Sequence, residues 1–534
     1  MRTRPGTRYL PVPGLCVAMA LALALPACGG DSAGATDDVV AEVADNGPGP
    51  DSVTLDNAVE AVGDTDVAGD PAPTTDADAV ADNPSTDPGS EAAAEVVVPE
   101  WSMGLPPTSD LGTRRQYSIA RTIIHLHNVF SHDACDGQPR MADGTPNEVC
   151  HQQLRAALCA DHIDFAMMTD HTTFVEDTDT FADLYMFHDG DTWEDEGGVH
   201  SANVMPCQDG TKVRFAVGME NDHVSLVGLL RHPVDGDQAA RAAAYGDYSP
   251  AGVKVMRDAG AVPVVIHIED YTDAQLDAID ADMLETCNLH ILLAPNIRKL
   301  VGLDPEAAST AFATWLASPD EYPAASDLVF LEFHQRVAYY MDQWDRELGL
   351  RMMGGFAGND AHQNVLNLPM ADGERPDSYR RMMKWYVNHA LVESRTGTAI
   401  RAALHARRLY EVFELVGTPA DFDFHADQQG GSTYEMGQVV PAGAAVTLRA
   451  PIPHPLAVAD GLDTVRMVLR QVTPAGATTV YDGPGPVEYA SAAPGRYRLE
   501  VFLTPQHLAP YLGASATRLL KEYPWIYSNP IEVQ

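Results

Sequence analysis

From about residue 114 to about residue 415 the sequence alternates short apolar runs with amphipathic stretches, and this alternation restricts the fold more than any other feature. The runs RTIIHLH, IDFAMMTDH, VRFAVGME, HVSLVGLL, VPVVIHI, LHILLAP, LVFLEFH and MMGGFAG read as buried strands, because β-branched and bulky apolar residues dominate them. Between several of them lie helical candidates, NEVCHQQLRAALCAD, SPAGVKVMRDAG and PEAASTAFATWLAS. The segment TGTAIRAALHARRLYEVFEL reads as a last helix and strand. Strands alternating with helices imply βαβ units and a parallel sheet. Seven or eight such units in roughly 300 residues fit an α/β barrel better than an open sheet.

Titratable residues fall at the ends of these runs, where α/β barrels place their sites. The stretch HLHNVFSHDAC carries His125, His127, Ser131 and Asp133. Two histidines at i and i+2 on a strand share a face and form half of a metal site. Asp170 and His171 end IDFAMMTDH, and Glu220 ends VRFAVGME with His223 just beyond. His267 closes VPVVIHI, and Asp360 and His362 stand two apart in GGFAGNDAH. Each cluster alone has a mundane reading, as a turn, a helix cap or a satisfied core histidine. Together they bury more charge at one end of a barrel than is affordable without a cation, since like carboxylates repel and unpaired ions lose hydration. Imidazole and carboxylate ligands without thiolate suit Zn²⁺, Mn²⁺ or Fe²⁺. A bridging carboxylate can hold two cations close enough to acidify one shared water, and no GxSxG elbow suggests a serine nucleophile. Asp170 is a candidate orienting group and His334, ending LVFLEFH, a candidate proton donor. Arg298 and Lys299 are candidates for an anionic substrate group.

The order HxHxxxSxD at 125–133, TDH at 169–171, GxE at 218–220, His267 after a buried strand and NDAH at 359–362 resembles the PHP (polymerase and histidinol phosphatase) superfamily of metallohydrolases. The resemblance spans roughly residues 117–415, and departs from the family pattern where Ile268, not proline, follows His267. It implies a distorted (β/α)7 barrel with two or three divalent ions. One ion would be held by His125, His127, Glu220 and Asp360. A second would share Glu220 and add His223 and His267, and a third would use Asp133, His171 and His362. The amidohydrolases also open with HxH, but they use a mid-chain lysine bridge and lack the late DxH pair. The tail, PGRYRLEVFL followed by YPWIYSNPIEV, resembles an exported branch that includes carbamate hydrolases.

The flanks bear on location. Three arginines, Arg2, Arg4 and Arg8, precede a short apolar run ending Leu25-Pro26-Ala27-Cys28, which resembles a bacterial lipobox. That resemblance implies removal of residues 1–27, lipid on Cys28 and, with Gly29 following, sorting to the outer membrane of the cell envelope. Residues 28–100 are acidic and Ala/Pro/Thr-rich, without lysine or arginine, and are expected to be a disordered tether. Residues 101–418 would be the barrel and 419–534 a small β-sandwich, read from AAVTLRA, TVRMVLRQV, TTVYDG and GRYRLEVFL between Pro/Gly turns. An exported chain permits disulfides, and Cys135, Cys150, Cys159, Cys207 and Cys287 allow one or two, with one cysteine left over. The net charge of −42 argues against nucleic acid as a partner. The functional expectation is a metal-dependent hydrolase of a small phosphoester, carbamate or related ester. The alternative is a non-enzymatic surface lipoprotein that binds polysaccharide or protein.

Overall fold

The computed structural model describes residues 100–534, apart from 222–223, 318–324, 460 and 491. The expected signal peptide, Cys28, the tether and His223 lie outside the described residues.

Seven strands carry the alternation read from the sequence: β1 (Tyr117–Ile123), β2 (Phe165–Met167), β3 (Lys212–Met219), β4 (Ser225–Leu229), β5 (Val262–Val265), β6 (Met283–Cys287) and β7 (Gly354–Ala357). They pair in that order. All neighbours are parallel except β4, which runs antiparallel to both β3 and β5. The expected helices are present as α1 (Glu148–Ala160), α2 (Pro250–Asp258) and Pro305–Ala317. Asn147 caps α1 and Ser249 caps α2, each accepting a backbone N–H of the first turn.

The large central sheet continues beyond β1 through β8 (Val387–Val392) and β9 (Leu409–Val412), both antiparallel. Because β8 occupies the second edge of β1, strand β7 has no ladder on its outer side among the described residues. Side-chain amides stand in for the missing strand. Asn388 Nδ2 donates to the Ala357 carbonyl at 2.7 Å while its Oδ1 accepts from Ala357 N–H at 2.9 Å. Asn529 brackets Gly355 in the same way, at 2.9 and 2.8 Å. Past the strand ends, Asp360 N–H donates to the His125 carbonyl (3.0 Å) and His127 N–H to the Ala361 carbonyl (3.3 Å). The two edges are joined across this gap by local bonds only, and among the described residues no ladder closes the expected distorted (β/α)7 barrel.

Beneath the strands, Ala120, Phe165, Met167, Val227, Val264 and Phe356 form one buried cluster with Ile400 and Leu404 of the helix Gly397–His405. That packing gives the strand ends a rigid base. The chain then continues into the same sheet, as Tyr523–Ser528 pairs with β9 and Gly495–Thr504 with Tyr523–Ser528. A separate four-stranded sheet holds His425–Gln428, Ser432–Glu435, Val446–Ala450 and Val487–Ala490.

Two apolar runs read as strands are helical. LHILLAP forms the short helix α3 (Leu289–Leu293), because the Asn288 side chain accepts the Ile291 N–H and starts a helix where periodicity alone reads as strand. LVFLEFH falls in a 3-10 turn over Ser326–Glu332. Disulfides join Cys135 to Cys150 and Cys159 to Cys207, and Cys287 is free and buried. Among the described residues no helix is long and apolar enough to cross a membrane.

Candidate metal centre

The strand ends converge. His125 and His127 follow β1, His171 follows β2, Glu220 follows β3, His267 follows β5, and Asp360 and His362 follow β7. These are the C-terminal ends of parallel strands, so one rim carries every group. Two sets of nitrogen and oxygen atoms each lie within 4.8 Å of one another: His125, Glu220, His267 and Asp360, and beside them His127, His171 and His362.

Glu220 and Asp360 join the two sets. Glu220 Oε2 is 3.0 Å from His125 Nε2 and 2.9 Å from His127 Nε2. Asp360 Oδ1 is 3.2 and 3.1 Å from the same two nitrogens. His267 Nε2 lies 3.5 Å from Glu220 Oε1 and 3.6 Å from Asp360 Oδ2. Asp133 reaches His171 (3.5 Å) and His362 (3.3 Å), and its neighbour His132 stands exposed with its ring 4.9 Å from that of His171. Asp360 adopts a left-handed backbone, φ 51°, as does His267 at 49°; strain at two such positions is tolerated where it aims functional side chains.

The electrostatics follow from burial. Desolvation alone would push His125 down, but Asp360, Glu220 and Glu285 around it hold it well above the ordinary histidine value. His171, His125 and His127 reverse the effect of burial on Glu220 and hold it well below the usual carboxylate range. His362 is pushed down to about 3 by burial and by the charge of His127. Asp170, also buried, is raised to about 6 despite nearby His127 and a backbone N–H from Asn128.

These residues fit divalent cations. His127 Nε2, His362 Nε2 and both carboxylate oxygens of Asp360 are buried without a well-directed hydrogen bond, although imidazole nitrogens and carboxylate oxygens crowd within 3.3 Å of one another there. Such groups are costly unless a cation receives their lone pairs. The outer nitrogens are held as metal-binding imidazoles require. His125 Nδ1 meets Glu285 Oε1 at 2.8 Å, and His127 Nδ1 meets Ser131 Oγ at 2.7 Å, which in turn donates to Asp170 Oδ1 at 3.1 Å. Asp170 thus positions His127 through Ser131 and receives the Asn128 N–H at 2.6 Å.

Several assignments change. His334 does not join the rim. It is buried among Trp385, Phe413 and Tyr523, with Nε2 2.8 Å from the Pro524 carbonyl, so it cannot reach a substrate there. Burial holds its imidazole down at about 4. Arg298 spends its guanidinium on the Asp304 and Leu292 carbonyls, which closes a turn. Two residues were missed. His290, on the first turn of α3, places Nε2 3.1 Å from Asp360 Oδ2, and its signal was hidden by reading that run as a strand. Glu285 sits inside β6, where a fully buried carboxylate in MLETC was itself the clue.

The fold and this rim define a mixed α/β protein with a cluster of metal-type ligands at parallel strand ends. No family model and no curated protein matches the chain. One solved structure, a two-domain protein from Bacteroides vulgatus containing a predicted PHP-like metal-dependent phosphoesterase, aligns at 12% identity over 80% of this chain and 98% of that one. Its TM-score is 0.29, too low for the likeness to carry an argument.

Proposed function

We propose that this chain is a metal-dependent hydrolase of small esters, of the PHP kind, whose seven strands correspond to a distorted (β/α)7 barrel. The convergence of His125, His127, Glu220, His267, Asp360 and the Asp133–His171–His362 group on one rim carries the reading. His125, His127, Glu220 and Asp360 would hold one ion. Glu220 with His267 and His290 would contribute to a second, and Asp133, His171 and His362 to a third. Divalent cations held there would supply Lewis acidity for ester hydrolysis. The protein's own part is positional. Glu285 fixes the His125 ring, and the Ser131–Asp170 pair fixes His127, so each presents Nε2 to the rim. Tyr340 donates to Glu269, whose Oε1 faces His267 Nδ1 at 3.6 Å.

The phosphoester and carbamate readings differ in substrate charge. The lipobox-like Cys28 and the acidic residues after it support a lipid-anchored envelope protein. Residues 419–534 would be a small β-sandwich built onto the hydrolase, sharing its sheet through Gly495–Thr504 and Tyr523–Ser528. A panel of p-nitrophenyl phosphate, bis-p-nitrophenyl phosphate and 1-naphthyl N-methylcarbamate with added Mn²⁺ or Zn²⁺ tests the reading. Metal-dependent turnover of at least one ester supports it, and a metal-loaded protein inert to all of them favours a binding role.

A further inference from the structure

Arg140 lies beside this rim in an unusual state. Its guanidinium stands over two aromatic rings, 4.7 Å from the centroid of Phe130 and 5.0 Å from that of Phe174. Phe130 belongs to the segment between His127 and Asp133, and Phe174 follows His171 by three residues, so both rings are anchored by candidate ligand segments. Among the described residues the other arginines donate to, or lie within 4.0 Å of, a carboxylate or a backbone carbonyl, as Arg155 does to Asp191, Arg241 to Asp179 and Arg470 to Asp345. Arg140 makes neither kind of contact, although the chain has 76 acidic residues against 34 basic ones. Among the described residues this leaves a half-buried cation next to the ligand-rich rim that has no hydrogen-bonded or ion-paired carboxylate, only the nearby charge of Asp170, which is itself engaged by Ser131 and Asn128.

Ring stacking on a guanidinium occupies its flat faces and leaves its edge of N–H donors open. An edge held at a fixed angle suits an anion with two oxygens, which a guanidinium binds through paired N–H···O bonds. An acidic protein that repels anions overall needs such a local cation to admit one.

We propose that Arg140 is the specificity-determining residue of the site, receiving the anionic oxygens of a phosphoester through its open N–H edge and so favouring anionic over neutral esters. This rests on the hydrolase reading above and narrows it to charged substrates. Phe130 and Phe174 flank the guanidinium, and the substrate supplies the directly bonded anion that Asp170, held by Ser131 and Asn128, does not.

The test uses the full chain loaded with Mn²⁺, with metal content measured in every sample. Binding of inorganic phosphate is followed by calorimetry in wild type, Arg140→Met and Arg140→Lys. Loss of a charge-assisted bidentate contact is expected to weaken phosphate by about ten- to a hundredfold in Arg140→Met with metal content unchanged. Arg140→Lys, which keeps charge and stem, is expected to weaken it about fivefold or more, because a point charge does not reproduce the fork. With substrates, KM for p-nitrophenyl phosphate should rise in both variants while turnover of 1-naphthyl N-methylcarbamate stays within about twofold. Wild-type phosphate affinity in Arg140→Lys and in any folded Arg140→Met, or equal losses on charged and neutral esters, overturns the proposal. Wild type that holds no metal sinks the hydrolase reading instead, and phosphate binding by the metal-free protein then still decides the role of Arg140.

Discussion

Glu285→Gln isolates the support beneath the first imidazole. The Glu285 carboxylate accepts three hydrogen bonds: from His125 Nδ1 at 2.8 Å, from the His267 backbone N–H at 3.1 Å and from Asn288 Nδ2 at 2.8 Å. Glutamine keeps the shape but exchanges one accepting oxygen for an NH2. If its oxygen serves His125, its NH2 faces the two donors of His267 and Asn288; if it turns over, it faces His125. Either way a buried donor loses its acceptor, and His125 loses the carboxylate that makes Nε2 a stronger ligand. Outer partners of this kind typically contribute ten- to a hundredfold in metal affinity, about 1.4–2.8 kcal/mol. Competition for Zn²⁺ against a chromophoric chelator, with circular dichroism to confirm folding, measures the effect. A folded Glu285→Gln protein with wild-type zinc affinity refutes the argument that β6 supports the centre.

Other parts of the structure give independent tests. Because His334 is a buried core residue, His334→Ala should lower stability by about 2–3 kcal/mol in denaturant titrations while leaving metal content unchanged; a loss of metal without a loss of stability would return it to the site. The Cys135–Cys150 bridge closes a 15-residue separation, and Cys135 N–H donates to the His362 carbonyl at 2.9 Å. Replacing both cysteines by alanine should therefore cost about 3 kcal/mol of stability and reduce the number of metal equivalents retained, whereas unchanged stability and stoichiometry would separate the bridge from the centre. Glu414 is buried, yet Arg121 and His389 hold it down at about 2 against an ordinary value of 4.5. A depressed carboxylate stabilises the fold above its unfolded pKa and loses that contribution as pH falls through the folded one. The stability difference between wild type and Glu414→Gln should therefore shrink by about 3 kcal/mol between pH 5 and pH 2, and a pH-independent difference would contradict the pairing.

The strand ends were legible in the sequence because buried runs such as VPVVIHI stop at a titratable residue, and in a parallel sheet that residue is left on the rim. The reversal of β4 was not legible, since HVSLVGLL has the composition of any buried strand and direction is a property of the connections. Nor was the gap beside β7, which depends on β8 taking the far edge of β1 and on Asn388 and Asn529 substituting for a strand. His290 was lost because a five-residue helix is too short for its periodicity to show, although Asn288 as its cap was visible. His334 was over-read for the opposite reason. Its apolar run looks like a strand leading to a site, but it turns into the core, where the Pro524 carbonyl and the Trp385 N–H partner its two ring nitrogens.

Elemental analysis of the full chain beside Asp360→Asn tests directly whether one rim of this sheet holds divalent metal. Asp360 contacts His125, His127, His267 and His290, so its loss should disturb both ligand groups at once. Wild type should carry at least two equivalents of zinc, manganese or iron, and a folded Asp360→Asn protein should lose most of that metal. Wild-type protein that carries no metal and binds none at micromolar concentration would contradict it.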